Sequence, residues 1–229
     1  MRKTFTPLLV CISLLCAVPA FADQVIGFPA DPGTGSFFPF GFYNGEYQQV
    51  YTAGAFSGPI TITKLEFFNT QFNSSATAMS SGTWTIALST TSANWNTLST
   101  TFASNIGGDN TTVFSGKLSQ PWGFGNTLTI NLSTPFTYNP LNGNLLMDIM
   151  ASGVTGSVFN PGVAFDINGA NTIMGVDECP LGSVCPSGTV TSGFGLVTGF
   201  STVPEPYSIL LLGTGLVGLA GAARRKLGK

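Results

Sequence analysis

Apolar and polar residues alternate with a period of two over much of the chain between residues 23 and 203. Trp84, Ile86 and Leu88 alternate with hydroxyl and small residues, and the stretches 127–133 and 163–167 repeat this pattern. A period of two places apolar side chains on one face of a strand and polar side chains on the other. The stretch 145–150 is almost continuously apolar, which indicates a central strand covered on both faces.

Turn-forming pairs separate these stretches, and no part of 23–203 shows the capped 3.6-residue period of a helix. The pairs are Gly58-Pro59, Asn142-Gly143 and Pro161-Gly162. Short strands between such turns predict an all-β domain, an antiparallel β-sandwich with jelly-roll-like connections. We assign this domain to residues 23–190 and a linker to residues 191–203.

Charge and composition exclude several classes of function. The 229 residues include no histidine, which excludes Ser-His-Asp and Cys-His catalysis and imidazole metal sites. Residues 23–203 carry two lysines against nine acidic residues, a net charge of −7. Nucleic-acid binding needs a basic surface, so nucleic acid is excluded as a partner. We expect neither a metal nor a cofactor.

The N-terminus has the order of a signal peptide. Arg2 and Lys3 precede the apolar stretch 8–18, and Ala20 and Ala22 form a small-x-small cleavage site. We predict a signal peptide over 1–22, removed by signal peptidase. A retained membrane helix is disfavoured because the apolar stretch is short. Lipid attachment at Cys16 is disfavoured because a large residue, leucine, precedes it.

The C-terminus predicts a membrane anchor. Residues 207–223 carry no charge and would form about 25 Å of helix, close to the lower limit for crossing a bilayer. Arg224, Arg225 and Lys226 follow at once as a stop-transfer cluster. The positive-inside rule places this end in the cytoplasm, so one transmembrane helix would hold the β-domain outside the inner membrane.

The last segment, 204–229, has three parts in a recognisable order. Val203, Pro204, Glu205 and Pro206 precede the Gly-rich apolar stretch and the cationic cluster. This order resembles the PEP-CTERM sorting signal of Gram-negative bacteria that produce exopolysaccharide. The resemblance implies that an exosortase, a membrane-embedded cysteine protease, recognises Pro-Glu-Pro and processes the chain. The alternative is a proline-containing linker before a plain membrane anchor.

Cys179 and Cys185 are the two cysteines that remain once the signal peptide is removed. Exported proteins meet an oxidising environment, so we expect a disulfide that closes this short loop. A redox or metal-binding pair is the alternative. It is disfavoured because the neighbouring Asp177 and Glu178 would raise a thiol pKa.

Two groups of acidic residues suggest enzymatic or metal chemistry. Glu46 and Glu66 could form a glycosidase pair, but each lies in a strand-like stretch where it is expected to face solvent. The stretch 166–171, followed by Asp177, is similar to a calcium loop. Its fifth position is Ala170, which favours an Asx-rich turn instead. We therefore expect no enzymatic activity.

Two tryptophans lie in polar or turn-like sequence, whereas Trp84 lies on a clean apolar face and is assigned to the core. Trp95 stands between two asparagines, and Trp122 stands between a proline and a glycine. Exposed aromatic rings stack against sugars. Carbohydrate binding to exopolysaccharide is therefore the alternative function, and packing within the core or a loop is the structural alternative.

The sequence predicts an exported protein of the cell surface or extracellular matrix, associated with biofilm exopolysaccharide. Its expected partners are signal peptidase, the inner membrane and an exosortase, with exopolysaccharide as a further partner. The chain would be anchored in the inner membrane transiently and then processed at the C-terminal signal.

Overall fold

The alternating segments of the sequence form antiparallel β-strands in the computed structural model. The structure describes residues 23–203 except 43–44, 80, 156, 158 and 180–186. These residues belong to one unit, Asp23–Val203. They contain short 3₁₀ turns and no α-helix, and the paired strands are antiparallel. The prediction of an all-β domain is confirmed.

The strands of the described residues, in chain order, are β1 (Gln24–Ile26), β2 (Glu46–Tyr51), β3 (Ile60–Phe68), β4 (Ser75–Ala76), β5 (Thr83–Thr91), β6 (Thr111–Gly116), β7 (Trp122–Gly123), β8 (Thr127–Tyr138), β9 (Asn144–Ser152), β10 (Ile167–Asn168), β11 (Met174–Glu178), β12 (Thr189–Ser192), β13 (Gly195–Leu196) and β14 (Thr198–Val203). Short 3₁₀ turns cover Ala53–Ala55, Phe102–Ser104 and Pro140–Asn142.

Two larger sheets contain most of these strands. The six-stranded sheet has the order β12-β11-β2-β9-β5-β6, and the four-stranded sheet has the order β1-β14-β3-β8. Strand β9 lies in the middle of the larger sheet. Leu145, Met147 and Ile149 join the main hydrophobic cluster, whereas Leu146 joins a second cluster with Val50. The predicted central strand, covered on both faces, is confirmed.

Side chains from both sheets meet in the main hydrophobic cluster. Phe40, in the loop before β2, is fully buried and links them. Its ring centroid lies 5.0 Å from that of Phe67 on β3 and 5.1 Å from that of Trp84 on β5. The placement of Trp84 in the core is confirmed, since its exposed fraction is 1%.

The last strand of the domain lies where the sequence suggested a linker. Strand β14 pairs with β1 on one edge and with β3 on the other. Phe200 is fully buried, and the Tyr51 hydroxyl on β2 donates a 2.8 Å hydrogen bond to Thr198 Oγ1. The predicted linker over 191–203 is therefore wrong, as is the predicted domain end at 190. Glycines at 193, 195 and 199 interrupt the alternation of apolar and polar residues that would have predicted strands in the stretch 191–203.

Several predicted features lie outside the described residues. They are the signal peptide with Ala20 and Ala22, the sorting residues Pro204, Glu205 and Pro206, the helix over 207–223, the cluster Arg224, Arg225 and Lys226, and Cys185. Among the residues that are described, none belongs to a helix long and apolar enough to cross a membrane.

Replacing Phe200 tests whether β14 is part of the core. We expect Phe200→Ala to lower the free energy of unfolding by about 3–5 kcal/mol, because it removes a buried ring between two paired neighbours. Chemical denaturation of the purified protein measures this loss. Phe28→Ala is the matched control, since Phe28 is 76% exposed and should change the stability little. Equal effects of the two variants would contradict the position of β14.

Candidate functional site

A row of polar side chains crosses the six-stranded sheet at Gln48. Asp177 on β11 and Asp148 on β9 lie directly opposite Gln48 on β2, one on each side. Residues directly opposite in adjacent strands point to the same face of a sheet. Gln48 and Asp177 are fully buried, and Glu46, two residues before Gln48, is on the same face. This acidic row comprises Glu46, Gln48, Asp148 and Asp177.

The segment 97–110 covers this row. Gln48 Nε2 donates a hydrogen bond of 3.2 Å to the Phe102 carbonyl, and Asn105 Nδ2 donates one of 3.0 Å to Gln48 Oε1. Leu98 packs with Val50 and Leu146 in the second hydrophobic cluster. Because both ends of the Gln48 amide are paired, the covering segment is attached to the sheet by directional bonds as well as by apolar contact.

The carboxyl groups near Gln48 have pKa values above their ordinary range. Burial, and then the Glu46 carboxyl, raise the pKa of Asp148 from its ordinary value of 3.8 to about 7. The same two causes raise the pKa of Asp177 to about 7. Burial also raises the pKa of Glu46 and, with the charge of Asp177, raises that of Glu178 to about 7. Asp148, Asp177 and Glu178 therefore hold protons close to neutral pH.

The acidic row does not have the arrangement of a metal site. Within the described part of the chain, no three His, Cys, Asp or Glu side chains are grouped so that they could hold a metal ion. Asp148 Oδ1 and Glu178 Oε2 are buried and have no hydrogen-bond partner among the residues that the structure describes. The arrangement therefore favours neutralisation of these carboxyl groups by protonation.

Trp122 lies in the core and not on the surface. Its exposed fraction is 2%, its Nε1 donates a 2.9 Å hydrogen bond to the Ala164 carbonyl, and its ring centroid lies 4.5 Å from that of Phe165. The expectation that Trp122 is exposed is wrong. The short pairing of β7 with β4 fixes its backbone, and the indole finds both an apolar neighbour and an acceptor inside.

Trp95 is half-buried on the covered face of the six-stranded sheet. It packs against the second cluster with Val50, Leu98 and Leu146. The Trp95 backbone lies very close to Gly175 on β11. Any side chain at position 175 would collide with the Trp95 carbonyl. Part of the indole remains accessible, and its role in sugar binding stays a prediction.

The two glutamates considered as a glycosidase pair lie on different sheets. Glu46 is on β2 of the six-stranded sheet, and Glu66 is on β3 of the four-stranded sheet. Both are half-buried. Glu66 leans over Gly199, the residue opposite it on β14.

The stretch 166–171 contains strand β10, and its asparagines Asn168 and Asn171 form an Asx-rich turn after that strand. The Asp166 carboxylate accepts hydrogen bonds from Thr70 N at 2.8 Å, Thr70 Oγ1 at 2.6 Å and Gln71 N at 2.9 Å. Asn171 Oδ1 accepts from Met174 N at 2.8 Å. These side chains hold backbone groups of neighbouring loops, as Asx residues commonly do.

A cavity that sequence reasoning missed lies beside β1. Its volume is about 380 Å³, and it is lined by Val25, Phe28, Phe68, Thr70, Asp166 and Val197. Phe28 is 76% exposed and Val25 is 43% exposed. This size falls at the lower end of the range for small-molecule sites, about 300–1,000 Å³. Phe28 lies in the loop after β1, and its exposure has no signature in the sequence.

Cys179 follows β11 directly, is 4% exposed and is disulfide-bonded. Its backbone N–H donates a 3.0 Å hydrogen bond to the Glu46 carbonyl, which continues the pairing of β11 with β2. The predicted partner, Cys185, lies outside the described residues. The pairing of these two cysteines stays a prediction.

The C-terminal segment matches a known sorting signal. Residues 202–226 match the family described as the PEP-CTERM protein-sorting motif. The chain therefore carries the signal of a class of exported proteins sorted at a membrane. Within that class, it is consistent with an exosortase substrate, and the predicted resemblance to the PEP-CTERM sorting signal is confirmed. A search of the curated proteins found no significant match to the chain.

The raised carboxyl pKa values predict that the folded protein loses stability as the pH rises. Between about pH 4 and pH 7 the folded state binds more protons than the unfolded state, so the free energy of unfolding falls across this interval. One carboxyl with this shift accounts for about 2 kcal/mol or more between pH 5 and pH 8. Denaturant unfolding at a series of pH values measures it.

Asp148→Asn identifies the source of this pH dependence. The variant removes the charge without changing the size of the side chain, so it should stabilise the protein near pH 8 and flatten the pH profile. Asp109→Asn is the control, because Asp109 is exposed and its Oδ1 accepts from Thr90 N, a bond that asparagine can keep. A profile unchanged by Asp148→Asn would contradict the assignment.

Proposed function

We propose that the protein is a non-catalytic component of the cell surface or extracellular matrix, sorted and processed by an exosortase at Pro204-Glu205-Pro206. The observation that carries this proposal is the sorting motif at 202–226, which begins within the last two residues of strand β14. In this role the β-domain is the cargo. Its surroundings are the inner membrane and the exosortase before processing, and the exopolysaccharide of a biofilm after processing.

The domain itself is a β-sandwich in this proposal, with the six-stranded and four-stranded sheets as its two layers. The shared hydrophobic cluster supports this arrangement, since Leu88 and Ile149 of one sheet and Leu65 and Leu128 of the other belong to it. Apolar residues that alternate along each strand fill the space between two such sheets. The jelly-roll-like connections of the sequence analysis belong to the same proposal.

The placement of the acidic side chains favours a structural role over catalysis. Asp166 is occupied by three hydrogen bonds from a neighbouring loop. Asp148 and Asp177 flank Gln48 beneath the covering segment, and Glu46 and Glu66 lie on different sheets. An acid-base mechanism needs such groups around a common space that a substrate can enter.

The chemistry of the signal suits a peptide that a protease reads. Two prolines restrict the backbone to extended conformations and remove two backbone donors. Glu205 supplies one negative charge between them. In the proposed function, Glu205 is therefore a recognition residue of a substrate.

Substitutions in the motif test the proposal. We expect Glu205→Gln, and the double variant Pro204→Ala with Pro206→Ala, to reduce the processed product about tenfold or more, which corresponds to a loss of about 1.4 kcal/mol of recognition energy. Intact-mass spectrometry of the full chain expressed in its host measures precursor and product. Glu66→Gln, within the β-domain, is the matched control and should process normally. Normal processing of the motif variants, or of the chain in a host without the exosortase, would refute the proposal.

Carbohydrate binding is a second candidate function, favoured by the exposed Phe28 ring beside the 380 Å³ cavity. A sugar ring can stack its apolar face on an exposed phenyl ring, and the accessible part of Trp95 offers a second such surface. Trp122 no longer belongs to this candidate site, because it is buried.

Affinity chromatography on the host's own extracellular polysaccharide tests this candidate. We expect Phe28→Ala, Trp95→Ala or both to weaken retention about threefold to tenfold, the scale of one lost stacking contact. Phe124→Ala is the matched control, since Phe124 is 60% exposed and does not line the cavity. Absence of retention, or retention that neither variant changes, would remove carbohydrate binding at these residues.

A further inference from the structure

The sorting motif and the folded domain share two residues. The family match begins at residue 202, whereas strand β14 continues to Val203. Thr202 pairs with Ile62 of β3, and Val203 pairs with Thr61. The backbone of both residues is thus part of the four-stranded sheet.

The rest of β14 keeps these two residues in place. Residues 198–200 of β14 have neighbours on both edges, with Phe200 opposite Gln24 of β1 and opposite Leu65 of β3. The Phe200 ring is fully buried, with centroids 5.1 Å from that of Tyr51 and 5.6 Å from that of Phe56. Removing β14 from the sheet would expose this ring and leave buried backbone groups of two strands without partners.

A protease that bound residues 202 and 203 through the backbone groups that face β3 would compete with β3 for the same segment. Backbone groups already paired within a sheet are not free to pair with another protein. The folded domain therefore limits how far towards the N-terminus the processing enzyme can read the signal.

We propose that Thr202 and Val203 serve the fold, and that the exosortase reads the signal only from Pro204 onwards and leaves a new C-terminus at or beyond Val203. This inference rests on the proposed processing by an exosortase. It divides the matched segment into a part that completes the domain and a part that the enzyme recognises. The processed protein keeps all of β14.

A spacer inserted between Val203 and Pro204 separates the two parts. The insertion is a Gly/Ser segment of about six residues in the full chain, expressed in its host. We expect the chain to be processed as completely as the parent chain, with a product that ends at or beyond Val203 by intact-mass spectrometry. A spacer of the same composition beside Leu141, which is 89% exposed in the turn between β8 and β9, is the matched control.

A substitution provides a second measurement if the spacer chain is degraded before analysis. Thr202→Ala changes the side chain that the enzyme would read but keeps the backbone pairing with β3, so we expect unchanged processing. A spacer chain that keeps its full length, reduced processing of Thr202→Ala, or a parent product that ends before Val203 overturns this inference alone. A parent chain that remains unprocessed overturns the proposed function, and this inference with it.

Discussion

Strand β14 is held on both edges and from within the core, and the two larger sheets depend on this attachment. Residues before it are fixed in the same way: the Gln49 side chain of β2 accepts a 2.8 Å hydrogen bond from Leu196 N and donates one of 2.9 Å to the Leu196 carbonyl. The bond from Tyr51 to Thr198 continues this series along β2. A buried amide or hydroxyl is tolerated when its partners are present and is costly when they are absent. The final residues of the domain thus satisfy polar groups of the six-stranded sheet.

The shortage of positive charge has a different consequence on the other face of that sheet. With only Lys64 and Lys117 in residues 23–203, most carboxyls have no cation to pair with. Asp148 and Asp177 are buried near Gln48, and their raised pKa values mean that protons reduce their charge. Burying an ionised carboxyl without a partner is expensive, whereas a protonated one can share hydrogen bonds. The acidic row is compatible with a closed, covered sheet face for this reason.

Local sequence could predict the strands that carry a strong period of two, such as β5 and β8, and the almost continuously apolar β9. Local sequence could not predict β13 and β14, because their glycines are required by contacts with residues far away in the chain. Gly195 lies against the Gln49 side chain, and Gly199 lies beneath Glu66. The tryptophans show the same limit. Trp95 and Trp122 stand in similar turn-like sequence, but distant residues decide that only Trp122 turns fully inward. Neither the sheet order nor the cavity beside β1 has a local signature, since each joins segments far apart in the chain.

The sorting signal was predictable for the opposite reason. A processing enzyme reads a contiguous segment, so the order of prolines, apolar residues and arginines is legible in the sequence itself. A fold is instead encoded in pairings between distant residues. Thr202 and Val203 belong to both the signal and the fold, because each lies within the matched segment and each pairs with a residue of β3. The four-stranded sheet therefore includes the first two residues of the segment that matches the sorting signal.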